Sequence, residues 1–259
     1  MKFKNFLRKI PIVKRLYPSI FTKYCKIIHK VNFIYNFRGI FLNLNIYEPI
    51  DKSILLFDYY EDEQIDYFFN HIKKNKVDYL FDIGANSGVY SLIMAQKFKH
   101  LKILSFEPIK KTYLKLKNNI LLNRNIKNIK NIKTYNFGLS DSNKRLRLKA
   151  LVRNNHVQLG GFGVLESHDK KSDFYTKTAL FKSADSFLNY KNKSLCLKID
   201  VEGHELFAIN GLKKILSNNK IFLQIEIFNK NYKKVYKKLK TFGLKKINRI
   251  NDDYYFIKN

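Results

Sequence analysis

The residues best suited to chemistry lie around a glycine-containing turn. In the stretch VDYLFDIGANSGVYSL, residues 77–92, an apolar run ends near Asp82 and is followed by Gly84, Asn86 and Gly88. Glycine lets the backbone turn tightly and approach a ligand without a Cβ atom in the way. A ligand at such a strand-to-helix turn meets free backbone N–H groups. The spacing G-x-N-x-G is related to the dinucleotide fingerprint but shorter, and a tight turn without a ligand is the alternative.

Acidic residues follow two further apolar runs. Glu107 directly follows LKILSF, and its position 25 residues after Asp82 suits it to accept hydrogen bonds from the ribose hydroxyls of a nucleoside. Asp200 ends the run in LCLKIDVEGHE, and Glu202 and His204 follow it. Because ligands of open α/β sheets bind outside the carboxyl ends of the strands, these side chains would converge with Asp82. Two plainer interpretations stay open: Glu107 starts a helix, and Asp200 caps one.

Strand and helix patterns alternate through most of the chain, which predicts an α/β fold with a largely parallel sheet. A helix is expected from Tyr60 to about Lys74, with acidic residues in its first turn. Glu226 lies in the buried run IFLQIEIF, where a charge is costly without a partner. The expected strands are Tyr79–Ile83, Lys102–Phe106, Ile132–Phe137, Leu195–Ile199, Ile221–Phe228, Lys245–Asn248 and Tyr254–Lys258.

Residues 144–190 are the least regular part of the sequence. They are predicted to form an inserted hairpin and lid over the edge of the sheet where a substrate would enter. The cluster Gly160–Gly163 favours a lid hinge over a phosphate cradle, because no strand-turn-helix context surrounds it. We therefore expect a basic N-terminal helical segment with a small cover over residues 1–57, and one main domain over residues 58–259.

The segment before Val31 is basic and contains Pro11 and Pro18. After Pro18, apolar residues recur at helical spacing on one face: Ile20, Phe21, Tyr24, Ile27, Ile28 and Val31. Two interpretations stay open, a helix packed on the domain or on a second subunit, and a helix lying on an anionic membrane. No stretch approaches the ~20 consecutive apolar residues of a membrane span, and the segment is a poor secretory signal.

The formal net charge is +29, which suggests a polyanionic partner such as nucleic acid, anionic lipid or an acidic glycan. Only eight of the 50 basic residues are arginine, the residue that makes forked contacts to phosphates and bases. A lysine-rich composition also follows from an A/T-rich coding sequence, so nucleic acid is not favoured as a partner. The two cysteines have no metal-type spacing, which predicts a reducing, cytoplasmic compartment and no metal site.

The assembled motifs resemble those of the FkbM family of class I S-adenosylmethionine-dependent methyltransferases. The matching pieces are DIGANSG (82–88), FEP (106–108), GLSD (138–141), LKIDVEGHE (197–205) and the Glu226-Ile227 pair. The resemblance implies a Rossmann-like fold with helices on both faces of a mostly parallel, seven-stranded sheet. The implied strand order is 3-2-1-4-5-7-6 with an antiparallel last strand, and residues 58–259 would be the methyltransferase domain.

The resemblance also implies that the cofactor is S-adenosylmethionine. It assigns the cofactor contacts as follows: Gly84, Asn86 and Gly88 line the methionine end, Asp82 orients the amino group, Glu107 binds the ribose, Ser140 and Asp141 lie beside the adenine, Asp200 lies near the transferred methyl group, and Ser91 belongs to the same set.

The expected reaction, O-methylation of a sugar hydroxyl on a surface glycan or its lipid-linked precursor, comes from the family resemblance. The acceptor must lose a proton, so Asp200, His204 or Glu202 is expected to act as base or to orient the acceptor. A metal held by Asp200, Glu202 and Glu226 is a less favoured expectation. An RNA 2′-O-methyltransferase, a methyltransferase for another small-molecule hydroxyl and a non-catalytic scaffold are the alternatives. A peripheral contact with an anionic membrane at its cytoplasmic face fits the basic N-terminal segment.

Overall fold

The computed structural model describes residues 4, 7–153, 156–157, 161–165 and 174–259. Their helices and strands are, in chain order, α1 (Pro11–Ile27), β1 (Asn32–Phe37), β2 (Ile40–Asn45), α2 (Pro49–Phe57), α3 (Asp62–Lys74), β3 (Tyr79–Ile83), α4 (Val89–Lys97), β4 (Lys102–Phe106), α5 (Lys110–Lys127), β5 (Ile132–Tyr135), β6 (Gly138–Leu139), β7 (Lys144–Arg153), β8 (His156–Val157), β9 (Gly163–Val164), β10 (Phe174–Lys182), β11 (Ser194–Ile199), α6 (Glu205–Asn210), α7 (Lys213–Asn218), β12 (Lys220–Glu226), α8 (Tyr232–Lys240), β13 (Lys245–Ile250) and β14 (Asp253–Lys258).

A seven-stranded sheet forms the centre of the molecule. Its strands lie side by side in the order β13-β14-β12-β11-β3-β4-β5. The five strands from β12 to β5 are parallel to one another, whereas β14 is antiparallel to both β12 and β13. Counted along the chain within this sheet, the order is 3-2-1-4-5-7-6 with an antiparallel seventh strand. The predicted α/β class and its seven-stranded sheet are therefore confirmed.

Helices cover both faces of this sheet, because successive side chains of a buried strand point to opposite faces. Leu80 and Phe81 are neighbours in β3 and enter two different apolar clusters. The first cluster also holds side chains of α3 and α4, such as Phe68 and Leu92. The second holds side chains of α6, α7 and α8, such as Leu216 and Leu239. The carboxyl ends of the parallel strands are thus held rigidly at one edge.

The N-terminal part packs on the same core as the main sheet. Cys25 of α1 and Phe37 of β1 belong to the first apolar cluster. Asn123 of α5 accepts a hydrogen bond from the backbone N–H of Phe41 at 2.8 Å, which joins the β1–β2 hairpin to the main domain. The sequence did not predict α2, and α1 contains Pro18 instead of beginning after it. The division at residue 57 stays a prediction.

The region inserted after β6 contains the predicted hairpin. β7 pairs antiparallel with β10 over eight residue pairs, from Lys144–Phe181 to Leu151–Phe174. β6, β8 and β9 complete a small second sheet. Of the glycine cluster proposed as a hinge, Gly160 lies outside the described residues. The role of this region as a lid stays a prediction.

Candidate active site

A cleft lies at the carboxyl ends of β3, β4 and β11, where the sequence predicts convergence of the acidic side chains. It holds about 620 Å³ of empty space, including its open mouth. Side chains of the inserted region, including Phe162 and Phe181, form part of its wall. Six residues predicted from the sequence line it together: Gly84, Asn86, Glu107, Asp200, Glu202 and His204.

Gly84 brings two strand ends into direct contact. Its φ angle is +83°, and a Cβ atom there would lie 1.8 Å from the carbonyl oxygen of Asp200. Only glycine fits both the left-handed backbone and this close approach. Gly88 is the N-cap residue of α4 and has φ +87°, but a Cβ atom there would meet Leu116 at 2.4 Å. Gly88 therefore serves helix packing, and it is not among the described residues that line the cleft.

Glu107 presents its carboxylate to the cleft while the backbone holds it in place. Its Oε2 accepts the N–H of Asn86 at 3.0 Å, and its Oε1 accepts the N–H of Ile109 at 2.9 Å. Burial raises the pKa of Glu107 to about 7, although these two hydrogen bonds oppose the rise. Since each carboxylate oxygen has a second lone pair, Glu107 can still accept two hydrogen bonds from a ligand.

Asp82 lies deeper than Glu107 and lines a smaller neighbouring pocket, which holds about 260 Å³ of empty space including its opening. That cavity shares Gly84 and Asn86 with the main cleft. Ser91 is fully buried and donates a hydrogen bond to Asp82 Oδ2 at 2.6 Å, while burial raises the pKa of Asp82. Ser91 thus acts on Asp82, and any direct contact of Ser91 with a cofactor stays a prediction.

Lys198 provides the positive charge among these carboxyls. It is 4% exposed, and its Nζ donates to Asp200 Oδ2 at 2.9 Å. Burial opposes its charge, yet the attraction of Asp200 and Glu61 holds the pKa of Lys198 well above its ordinary range. Seven other carboxyls interact electrostatically with Asp200: Glu61, Asp82, Glu107, Glu202, Glu205, Glu226 and Asp253.

Asp200 and Glu226 share one proton between two carboxyl groups. Glu226 ends β12 beside Asp200, and burial and the Asp200 charge raise the pKa of Glu226 to about 9. Burial alone would raise the pKa of Asp200, but Lys198 and the Glu226 hydrogen bond lower it overall. At neutral pH, Glu226 is therefore the proton donor and Asp200 the ionised acceptor. Asp200 is thus the partner that the carboxyl group of Glu226 requires in its otherwise apolar strand.

Glu202 and His204 differ in how well each can accept a proton. Burial, with the repulsion of Asp200, raises the pKa of Glu202 to about 7. The Nε2 atom of His204 is 2.9 Å from Ser140 Oγ. Burial lowers the pKa of His204 to about 4, so its imidazole is neutral at pH 7. Glu202 is the better match for a proton acceptor near neutral pH.

Ser140 and Asp141 are not among the described residues that line the cleft. Ser140 is fully buried and donates to Asp141 Oδ1 at 3.0 Å in addition to its contact with His204. Asp141 forms a half-exposed ion pair with Lys144 at 2.6 Å, and this hydrogen bond lowers the pKa of Asp141. Ser140 therefore positions His204, and contact of either residue with adenine stays a prediction.

The sequence did not predict five side chains of this network: Glu61, Tyr90, Lys198, Gln224 and Asp253. Tyr90 donates to Glu61 Oε2 at 2.9 Å, and Gln224 bridges Tyr90 and Asp253 at 3.0 and 2.8 Å. Lys198 stands inside an otherwise apolar strand. Because a buried charge requires partners, this position was the sequence signal that could have predicted its role. In the described part of the chain, no group of three His, Cys, Asp or Glu side chains has a geometry suited to a metal ion.

The sheet order and the cleft at its carboxyl edge define an α/β fold of the class I methyltransferase type. Residues 82–246 match the family model described as the methyltransferase FkbM domain, and the chain belongs to that family. The family is S-adenosylmethionine-dependent, and methyl transfer is its chemistry. Comparison with curated protein sequences finds no match.

Solved structures of similar fold include two methyltransferases. One is the FkbM methyltransferase of Methylobacillus flagellatus KT, with a TM-score of 0.52 and 14% identity over 70% of this chain and 44% of that chain. This chain thus spans less than half the length of that protein. Another is the magnesium protoporphyrin IX methyltransferase of Synechocystis PCC 6803 with bound SAM, with a TM-score of 0.47 and 10% identity over 82% of this chain and 84% of that chain. The first likeness supports the fold.

Proposed function

We propose that this chain is an O-methyltransferase that uses S-adenosylmethionine to methylate a sugar hydroxyl of a surface glycan or its lipid-linked precursor. The observation that carries the proposal is the arrangement of one cleft. Glu107 lies at one strand end as an acceptor for ribose hydroxyls, and Asp200 and Glu202 lie at another as acceptors for a proton. Family membership supports methyl transfer, and the carboxylates support an oxygen acceptor.

The charge of the cleft fits the proposed cofactor. When bound, S-adenosylmethionine supplies a methyl group on a positively charged sulfur. Asp200 and the seven carboxyls that interact with it account for eight of the 21 acidic residues of a strongly basic chain. Glu226 holds its proton at neutral pH, and Lys198 balances the negative charge of the other carboxyls only in part, which suits a ligand with sulfonium and ammonium charges. The missing Cβ at Gly84 lets the turn lie directly against the backbone of Asp200.

The residues at the other end of the cleft suit proton removal from a hydroxyl. Asp200 is held by Lys198 and Glu226, so it is ionised and fixed in orientation. Glu202, with a pKa of about 7, can accept a proton at physiological pH and release it again. His204 is neutral and tied to Ser140, which favours an orienting role over that of the base. A basic surface would attract an acidic glycan.

Calorimetry with S-adenosylmethionine tests the cofactor site. Because Glu107 becomes ionised around pH 7 and charged acceptors bind hydroxyls more strongly, affinity should rise about tenfold from pH 6 to pH 8. Glu107→Gln should bind at least about tenfold more weakly at pH 8 and lose this pH dependence. Glu63→Gln, at an exposed position on α3, is the matched control and should behave as the wild type.

Mass spectrometry of acceptors tests the reaction. The protein is incubated with S-adenosylmethionine and, separately, an acidic oligosaccharide, a short RNA and a simple alcohol. The proposal expects the mass of one added methylene on the oligosaccharide, and less of it with Glu202→Gln. Methylation of the RNA or only of the alcohol would reject the glycan. Absence of cofactor binding would leave a scaffold protein as the better description.

A further inference from the structure

The outward side of α1 carries a continuous row of exposed apolar side chains. Five residues spaced three or four apart share one side of the helix. They are Ile12 (70% exposed), Leu16 (52%), Ile20 (63%), Tyr24 (56%) and Ile27 (76%). We call these five residues the outer stripe. Large contiguous apolar patches on a protein surface mark interaction sites, whereas single exposed apolar residues need no explanation.

The outer stripe is distinct from the face by which α1 packs on the domain. Tyr17 lies 6.2 Å from Phe57 between ring centroids, and Phe21 lies 6.0 Å from Phe33. Cys25, one turn further on, is fully buried. Helical spacing predicted that Phe21 lies on the same face as Ile20, Tyr24 and Ile27, but the structure separates it from them. The helix is therefore apolar on two sides, and only the inner side has a partner within the described chain.

The charged residues of α1, and all lysine, arginine, aspartate and glutamate residues before Glu48, have a single sign. Residues 1–47 contain ten lysine and arginine residues and no aspartate or glutamate, and the first acidic residue is Glu48. Arg15, Lys23 and Lys26 are exposed on the same helix. A second copy of this chain would bring like charge against like charge, which disfavours a dimer through this face. RNA would satisfy the charges but would leave the aliphatic side chains against phosphate.

We propose that the outer stripe is a docking surface for an anionic lipid bilayer. The apolar side chains lie at the boundary between headgroups and acyl chains, while the flanking lysine and arginine side chains contact headgroup phosphates. An apolar helix face combined with a basic cluster provides the two signals that stable peripheral binding requires. This inference is independent of the proposed reaction, since it involves no residue of the cleft. No helix in the described part of the chain is long and apolar enough to cross a bilayer.

Vesicle flotation with the full chain tests the proposal. Vesicles of phosphatidylcholine alone are compared with vesicles that also contain phosphatidylglycerol. The wild type should float only with the anionic vesicles, and Leu16→Asn/Ile20→Asn should bind them at least about tenfold more weakly. Leu121→Asn/Ile126→Asn, which replaces two exposed apolar residues of α5, is the matched control and should float as the wild type.

A second pair of variants separates the local charge of α1 from the net charge of the protein. Arg15→Glu/Lys23→Glu and Lys233→Glu/Lys237→Glu change the charge equally, the second pair on exposed positions of α8. Only the first pair should reduce flotation strongly. Equal losses from both pairs, equal binding to neutral and anionic vesicles, or wild-type flotation of Leu16→Asn/Ile20→Asn would overturn the proposal. So would a lipid-free dimer that this apolar variant dissociates, or RNA binding that only the charge variant weakens. Thermal unfolding of each variant verifies that the fold is retained.

Discussion

Replacement of Glu226 by glutamine should make the protein more stable in alkaline solution, although it removes a buried carboxyl. The folded pKa of Glu226 is about 9, against an ordinary value of 4.5 in an unfolded chain. Between these values the folded protein holds a proton that the unfolded chain releases, so stability falls as the pH rises. Glutamine does not titrate, and its amide N–H can replace the carboxyl proton that Asp200 accepts.

The magnitude follows from the pH interval. From pH 5 to pH 8, one fully linked proton changes the free energy of unfolding by about 1.4 kcal/mol per pH unit, or about 4 kcal/mol in all. Because the pair shares its proton and Glu226 is not fully buried, we expect about half of this limit. For a chain of 259 residues, about 2 kcal/mol corresponds to a rise in Tm of roughly 4–8 °C.

Thermal unfolding of the wild type and Glu226→Gln across pH 5 to 8 measures this effect. The two proteins should unfold at similar temperatures at pH 5, and the variant should gain steadily over the wild type toward pH 8. Glu63→Gln controls for the loss of one glutamate and should shift Tm by the same small amount at every pH. Parallel curves for the wild type and Glu226→Gln would refute a protonated Glu226 and, with it, the assignment of Asp200 as the ionised partner.

Two further substitutions test how the cleft is built. Gly84→Ala should lose about 3 kcal/mol or more and abolish binding of S-adenosylmethionine, since its Cβ would meet the Asp200 carbonyl. Gly243→Ala has a similar φ and open space around its Cβ, so it should lose only about 1–2 kcal/mol in urea unfolding, and equal losses would contradict the close approach. Lys198→Met should lose about 3–5 kcal/mol because it leaves carboxyls unpaired, whereas Lys144→Met at a half-exposed pair should lose less than about 1 kcal/mol. Similar urea midpoints for the two lysine variants would show that Lys198 does not balance the cluster.

The position of the cleft could be predicted because it depends on local patterns. An apolar run that ends in Asp82, Glu107 or Asp200 marks the carboxyl end of a parallel strand, and such ends meet at one edge of a sheet. The structure confirms this convergence for Glu107 and Asp200, and it places Asp82 in the adjoining cavity. The local pattern alone was therefore sufficient to predict where the cleft lies.

The network around Lys198 could not be predicted in the same way. Its members come from separate segments: Glu61 precedes α3, Glu226 ends β12 and Asp253 begins β14. Which of them meet depends on strand order and on register, such as the pairing of Glu226 with Asp253. Helical periodicity likewise predicted that α1 has an apolar face, but it could not distinguish the side that packs from the side that stays exposed.

The molecule separates its charges by sign. Lysine and arginine residues dominate the first 47 residues and the chain as a whole, whereas Asp200 and the seven carboxyls that interact with it, eight of the 21 acidic residues, form one cluster. Salt screens exposed charges over about 10 Å, but it reaches buried groups far less. Screening therefore keeps the exposed basic charges from neutralising the cleft, while they still act on anionic surfaces or acceptors that come close. Lys198 limits the repulsion among the buried carboxyls, and the remaining negative charge is left for a cationic ligand. A basic protein can in this way hold a site for a positively charged cofactor.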